Sequence, residues 1–332
     1  MGRHAWGRYN ALSGGDLNKI HIAVLDVLEN VGFADAIPTC VEAITKIGGF
    51  VNSNGRLCFP KALVEDIIAS ANREFVLCAQ NPELDIEPSG NKVYFGTGGA
   101  AVHVIDPLSG KYKDSTLKDL FDAARLVDAM EHIHFFQRPL VARDMTSGFD
   151  LDVNTAYACI AGTAKHVGTS FVSSQSLKAT LSMLHAVSGS EVKWRKRPFV
   201  SQSNCFVVPP LKFAQDACKC LEVAVSAGMP VLLLSAGQAG ATAPAALAGA
   251  VVQGVAEVLA GLIYVNAIKA GAPAIFGTWP FVSDLRTGAM SGGSGEQALL
   301  TSGCSQMHQF YKIYMYGFYH FSCTVQQKLQ QD

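Results

Sequence analysis

The sequence predicts an α/β protein of the TIM, or (β/α)8, barrel type, incomplete at about six βα units, behind a small N-terminal α+β domain. Three observations carry this. From residue 92 onward, short apolar segments alternate with amphipathic stretches of helical length in one unbroken order. The segment at 230–269 shows the unit at its plainest: a strand (PVLLLSAG), a Gly-rich turn, and one long Ala-rich helix. The composition, 49% apolar and 16% charged over 332 residues with 31 glycines, suits a large core with many tight turns.

The N-terminal elements come first. Ile20, Val24, Leu25, Leu28 and Val31 recur at helical spacing over 17–32, and Gly32 ends that helix. A second helix over 38–47 stops at Gly48 and Gly49. Residues 50–59 read as a hairpin turning at Asn54-Gly55. Pro60 opens a helix to about Ala71, and 74–80 reads as a strand.

The repeating part follows. Strand one is 92–99, and 101–114 is a hairpin turning at 107–110. Ser115 or Thr116 caps a helix whose apolar face is Leu117, Leu120, Phe121, Ala124 and Val127. Strands at 132–142, 166–175, 199–206, 230–237 and 273–280 are each followed by a helix, at 151–164, 177–187, 213–228, 243–268 and 294–311. Thr242 is the expected N-cap of the long helix, with Pro244 in its first turn. An unbroken βα order favours a barrel over a doubly wound sheet. The count is two units short of eight, so the reading is of a truncated barrel; the segment after Lys312 is a possible seventh strand with no eighth unit. The chain thus divides into an α+β cap at 1–90, a partial barrel at 91–312 and a divergent tail at 313–332.

Composition excludes some classes. A formal net charge of −1 gives no electrostatic basis for nucleic acid or an anionic membrane as partner. Residues 1–10 lack the apolar core of a signal peptide. The nearly uncharged stretch 243–268 is Ala- and Gly-rich and interrupted by Gln253, Glu257 and Asn266, which fits a packed core helix better than a membrane span. Nine scattered cysteines without a CxxC pair read as buried thiols in a reducing cytosol, with no metal site. A cytoplasmic location is the expectation.

Four stretches then carry a resemblance: 24–33 (VLDVLENVGF), 104–130 (VIDPLSGKYKDSTLKDLFDAARLVDAM), 240–262 (GATAPAALAGAVVQGVAEVLAGL) and 271–299 (GAPAIFGTWPFVSDLRTGAMSGGSGEQAL). On these residues, and over about 14–312, the chain resembles the trimethylamine methyltransferase family, the corrinoid-dependent enzymes that demethylate trimethylamine, glycine betaine and related amines. The resemblance implies a TIM barrel with a small N-terminal domain. It also implies that cob(I)alamin, carried by a cognate corrinoid protein and not held tightly by this chain, takes a methyl group from a quaternary or tertiary amine. Family members continue with two further βα units, and no counterpart of the pyrrolysine of the trimethylamine enzymes is found here.

In such a barrel the chemistry sits at the C-terminal ends of the strands. A quaternary ammonium has no N–H and is held by aromatic faces, so Trp279 and Phe281 are candidates for a cage wall, with Asp284 balancing charge. A betaine carboxylate needs donors, for which Arg138, Arg286 or the backbone N–H groups at Gly240–Thr242 qualify. Arg286 has the alternative of pairing with Asp284 or Glu296. Gln175, Asn204 and Gln238 are uncharged polar groups at strand ends and complete the substrate-binding set. No side chain is assigned a catalytic role, because cobalt(I) is itself the nucleophile and the amine leaving from a quaternary ammonium is neutral.

Other chemistries fit less well. His132 and His134 share a strand face without a third ligand for zinc, His166 opens strand three at the barrel's far end, and no GxSxG elbow is present. The glycines at 96–99 lead to a hairpin and not to a helix, against a dinucleotide fingerprint. A barrel lyase or aldolase would use Lys165 as its Schiff-base lysine. An inactive fragment remains the other alternative, self-associating into a homo-oligomer through open sheet edges.

Overall fold

The computed structural model describes residues 10–88 and 92–313. The N-terminal part contains α1 (Gly14–Asp26), running on into a π-helical turn, then α2 (Pro38–Lys46), β1 (Phe50–Val51), β2 (Leu57–Cys58) and α3 (Lys61–Ser70). A hairpin of β3 (His103–Ile105) and β4 (Tyr112–Asp114) leads to α4 (Leu117–Asp128). The alternating part follows with β5 (Phe135–Gln137), α5 (Gly148–Gly162), β6 (His166–Thr169), α6 (Ser174–Ser188), α7 (Glu191–Lys196) and β7 (Val200–Asn204). A short hairpin, β8 (Val207–Val208) and β9 (Lys212–Phe213), precedes α8 (Gln215–Ser226) and β10 (Val231–Ser235). The chain then runs through β11 (Gln238–Ala239), α9 (Leu247–Ile268), β12 (Ala274–Thr278), β13 (Phe281–Ser283), β14 (Met290–Ser291) and α10 (Gly295–Tyr311).

Five parallel strands in the order β5-β6-β7-β10-β12 form the central sheet, a half-barrel and not a closed one. The expected first strand is reduced to a single bridge, Gly96 to Phe135. Two contacts account for this. The His134 ring accepts the Phe95 N–H at 3.0 Å, taking a donor the ladder needs. The Phe135 ring lies where a side chain at residue 96 would stand, so only glycine fits there. The expected strand at 74–80 is likewise a single bridge, Leu77 to Ile86. The segment from residue 314 onward, including the possible seventh strand, lies outside the described residues.

Several local signals act as their chemistry dictates. Ser13 with Asp16, and Thr116 with Asp119, form reciprocal capping boxes. Asn52 gathers the Asn54 and Arg56 N–H groups to close the first hairpin at Gly55. One signal is overruled. Thr242 does not cap α9; its hydroxyl accepts the Gln238 N–H at 2.9 Å, and the helix begins five residues later, after an Ala246 that offers no side-chain cap.

The two faces of the sheet differ. Val231, Leu233 and Phe276 point to the helices and join one continuous core that also holds Ile20, Ile44 and Val64 from α1, α2 and α3. α9 is the centre of this core: it is the one described helix with the length and apolar character of a membrane span, and 78% of that apolar window is buried inside the protein. On the other face, Leu232, Leu234 and Ile275 pack against Leu77 and Ile86. The segment around 75–86 thereby closes the N-terminal end of the half-barrel. It is tied there by Arg197 to Asp85 at 2.8 Å and by Gln80 Nε2 to the carbonyls of Ile160 and Thr163.

Candidate functional site

Strand alternation defines the site. Phe276 and Thr278 face the helices, the latter beside Cys304, so Ile275 and Gly277 face inward. The parallel ladder continues past the sheet without a change of register. Ser235 pairs with Thr278, Trp279 N–H donates to the Ser235 carbonyl at 2.7 Å, Phe281 N–H donates to the Gly237 carbonyl at 2.9 Å, and Gln238 pairs with Phe281. The alternation therefore carries Trp279, Phe281 and Gln238 onto the inward side, at the C-terminal end of the half-barrel. The Trp279 and Phe281 ring centroids are 5.1 Å apart at 45°. Gln238 Nε2 donates to Ser283 Oγ at 2.7 Å, which locks β11 to β13.

The loop after β10 is held from beneath. Glu257 of α9 is fully buried; it accepts from Leu211 N–H at 3.0 Å, from Gln253 Nε2 at 3.1 Å and from the Ser235 hydroxyl. Burial pushes its carboxyl above the usual range, against the pull of those three donors. Gln253 Nε2 also donates to the Thr242 carbonyl at 2.9 Å. The turn at 238–243 is thus fastened to the core through one buried carboxylate. Gly240, at φ +87°, is required where the turn passes Leu285, whose side chain would lie 2.7 Å from an added Cβ.

The other expected residues lie elsewhere. Thr242 is exposed in the turn. Asp284 sits at the head of the next loop; its carboxylate accepts the Arg286 N–H at 2.9 Å and is held below its ordinary range chiefly by that bond. Arg286 is 94% exposed, with its Nε 3.9 Å from Asp284. Arg138 follows β5 but turns toward the helical layer: its Nη2 donates to Ser170 Oγ at 2.9 Å, and burial against α5 lowers its pKa, with the Asp152 carboxyl of α5 among the opposing groups. Asn204 is buried on the helical side, donating to the Ala217 carbonyl at 2.9 Å. Gln175 is exposed in the first turn of α6. The structure therefore brings Trp279, Phe281 and Gln238 together on one face and leaves Arg138, Asn204 and Gln175 off it.

The inward face also holds a polar floor that lies outside the expected substrate-binding set. Gln137 Nε2 donates to Ser203 Oγ at 2.7 Å, across the strand between them. Further down, His166 donates from Nδ1 to the Cys78 carbonyl at 2.7 Å, so its Nε2 accepts from Ser201 Oγ at 2.9 Å. Burial lowers the His166 pKa to about 4, and the ring is neutral. A two-residue period in FFQ and VSQSN was the available signal for Gln137, Ser201 and Ser203. None of the inward positions of the five strands carries a charged side chain.

Lys165 stands at the opposite, N-terminal end of β6. Its ammonium donates to the carbonyls of Val127, Met130 and Ile133 at 2.7, 2.5 and 2.6 Å. That engagement and that position remove it from the role of a Schiff-base lysine. Among the described residues no three His, Cys, Asp or Glu side chains gather in metal-binding geometry.

Comparison with known proteins decides the family. The family described as trimethylamine methyltransferase (MTTB) matches residues 3–321. The chain belongs to the trimethylamine methyltransferase family. It is 31% identical over 299 residues to the trimethylamine methyltransferase MttB of Desulfitobacterium hafniense (strain DSM 10664 / DCB-2), covering 90% of this chain and 60% of that protein. Against trimethylamine methyltransferase MttB of Methanosarcina barkeri the identity is 30%, over 93% of this chain and 65% of the relative. A glycine betaine methyltransferase of Desulfitobacterium hafniense (strain Y51) is 29% identical, over 92% and 63%. The chain thus spans 60–65% of the length of these trimethylamine methyltransferase family relatives.

Proposed function

We propose that this chain binds a small quaternary or tertiary methylated amine, glycine betaine-like or trimethylamine, and presents one methyl group to the Co(I) of a cognate corrinoid protein in the cytoplasm. The corrinoid is the partner's group and acts as co-substrate. The observation that carries this reading is the Trp279–Phe281 pair on an uncharged inward face at the C-terminal strand ends. Aromatic faces attract an ammonium that has no hydrogen bond to offer, and their attraction grows as water is excluded. In the transfer, the cobalt electron pair forms the Co–C bond while the C–N pair returns to nitrogen. An ammonium substrate releases a neutral amine, and no acid is required of the protein. The chain's part is to hold the methyl carbon in line and keep water out. The fastened turn at 238–243 and the Gln238–Ser283 bond supply the rigidity this asks for.

The family match and the names of the relatives support the reaction class. The test mixes the purified chain with free cob(I)alamin and a panel of methylamines and betaines, and follows methylcobalamin by absorbance. Ligand binding is read separately by titration calorimetry, which does not depend on the tryptophan being substituted. Trp279→Ala is expected to weaken binding of the preferred amine about tenfold, as a desolvated cation–π contact is worth about 1–2 kcal/mol. Unchanged affinity in that variant would remove the aromatic wall from the account. Absence of both binding and methyl transfer in the folded chain would remove the reading itself.

A further inference from the structure

Gln137 lies across the floor of the inward face in an unusual way. It starts on β5 and reaches Ser203 on β7, two strands away, by passing directly over Gly168 of β6. The passage exists because residue 168 is glycine: a Cβ there would stand 1.9 Å from Gln137 Oε1 and 2.8 Å from its Cδ. Both ends of the side chain are fixed. The Gln137 main-chain carbonyl accepts from Thr97 Oγ1 at 2.6 Å, and Nε2 is committed to Ser203. Among the described residues nothing donates to Oε1, although the residue is only 8% exposed. Oε1 is thus an accessible acceptor on the inward face, open to a donor that enters there.

We propose that Gln137 is the specificity-determining residue of the amine site, its Oε1 accepting the N–H of a protonated tertiary ammonium and so discriminating against fully alkylated ammonium ions. This rests on the amine-binding reading above. A trimethylammonium ion brings one N–H, which fills the open acceptor with a charge-assisted bond. A tetramethylammonium ion of similar shape leaves Oε1 without a donor. The same contact favours the protonated amine over the free base. That matters chemically, because when a methyl group passes from trimethylammonium to Co(I), the C–N pair stays on nitrogen and neutral dimethylamine leaves with its N–H intact. The aromatic pair holds the charge, and the glutamine reads the proton.

The test is titration calorimetry of the full chain with trimethylammonium and tetramethylammonium chloride at pH 7, on the wild type, Gln137→Leu and Gly168→Ala. Gly168→Ala keeps the glutamine and fills the space its amide occupies, so it reports on placement and not on the loss of a residue; circular dichroism verifies that each variant is folded. The wild type is expected to prefer trimethylammonium by about tenfold or more, the scale of a hydrogen bond to a charged group. Both variants are expected to lower that preference by about tenfold while retaining tetramethylammonium affinity. In the wild type the preference should vanish as the pH rises past the amine's own ionisation. An unchanged preference in both variants, or a wild type that favours tetramethylammonium, overturns the role of Gln137 and leaves the amine site standing. If the folded wild type binds neither ion, the amine site and the proposal fall together.

Discussion

Lys165→Met is expected to lower the unfolding free energy by about 2–4 kcal/mol. Lys165 is only 4% exposed, yet its ammonium satisfies three carbonyls at and beyond the end of α4. A cation at a helix C-terminus also meets the negative end of the helix dipole. Methionine fills the same volume and supplies no donor. Val127 and Met130 each keep a backbone partner, from Met130 N–H and Ile133 N–H, which bounds the loss at a few kcal/mol. Burial nevertheless lowers the pKa of this lysine, with Asp128 as the opposing charge. The comparison is Lys178→Met on the exposed side of α6, expected to change stability by less than about 0.5 kcal/mol. Urea unfolding of the three proteins decides the matter: if Lys165→Met unfolds with the stability of Lys178→Met, the capping account is wrong.

How much of this was legible in the sequence varies by scale. Local order was: the helix over 38–47, the hairpin at Asn54-Gly55 and the helix over 294–311 all follow from caps and periodicity acting within a few residues. The long helix was visible as a unit but not in its first turn. The spacing Thr242-x-Pro244 satisfies the local rules for a helix start, and a contact four residues back, to the Gln238 N–H, outcompetes them. Sheet closure was not legible, because it depends on neighbours far along the chain. Residues 92–99 have strand composition, yet the His134 and Phe135 side chains leave room for one bridge only.

The site divides along the same line. Chemistry-bearing residues at strand ends can be chosen by type, but which of two adjacent residues faces inward is a question of register. At Gln137-Arg138 the glutamine faces the floor and the arginine turns to α5. At Ser203-Asn204 the serine receives the Gln137 donor and the asparagine bonds α8. The aromatic pair escaped this ambiguity because Trp279 and Phe281 are two apart and share a side under either register. The fastening of the turn by Glu257 combines both scales. A lone acid in an apolar helix was conspicuous in the sequence, and its partners at Leu211 and Ser235 come from two separate loops and strands.

Acidification from pH 7 to pH 5 is expected to destabilise the protein by about 2 kcal/mol for each of two buried histidines, and His308→Leu should abolish one of those shares. Burial lowers the pKa of His166 to about 4 and that of His308 to about 3. The unfolded chain takes up a proton at each ring near pH 6.5, while the fold keeps both neutral. Their contribution is therefore complete above about 6.5 and is lost as the pH falls toward those lower values. The two rings differ in what else they do. His166 bonds the Cys78 carbonyl and Ser201, so His166→Leu should cost about 2 kcal/mol at pH 7 while also flattening the acid response. His308 is 1% exposed, packs edge-on to Phe276 at 5.1 Å, and has neither ring nitrogen hydrogen-bonded among the described residues. His308→Leu removes two buried nitrogens without stranding a partner, and a gain of about 1 kcal/mol at pH 7 is expected. Urea midpoints of the wild type and both variants at pH 7 and pH 5 separate these effects. A His308→Leu protein less stable than the wild type at pH 7, or equally weakened at pH 5, would mean that the ring has a partner in solution and is not a bare buried base.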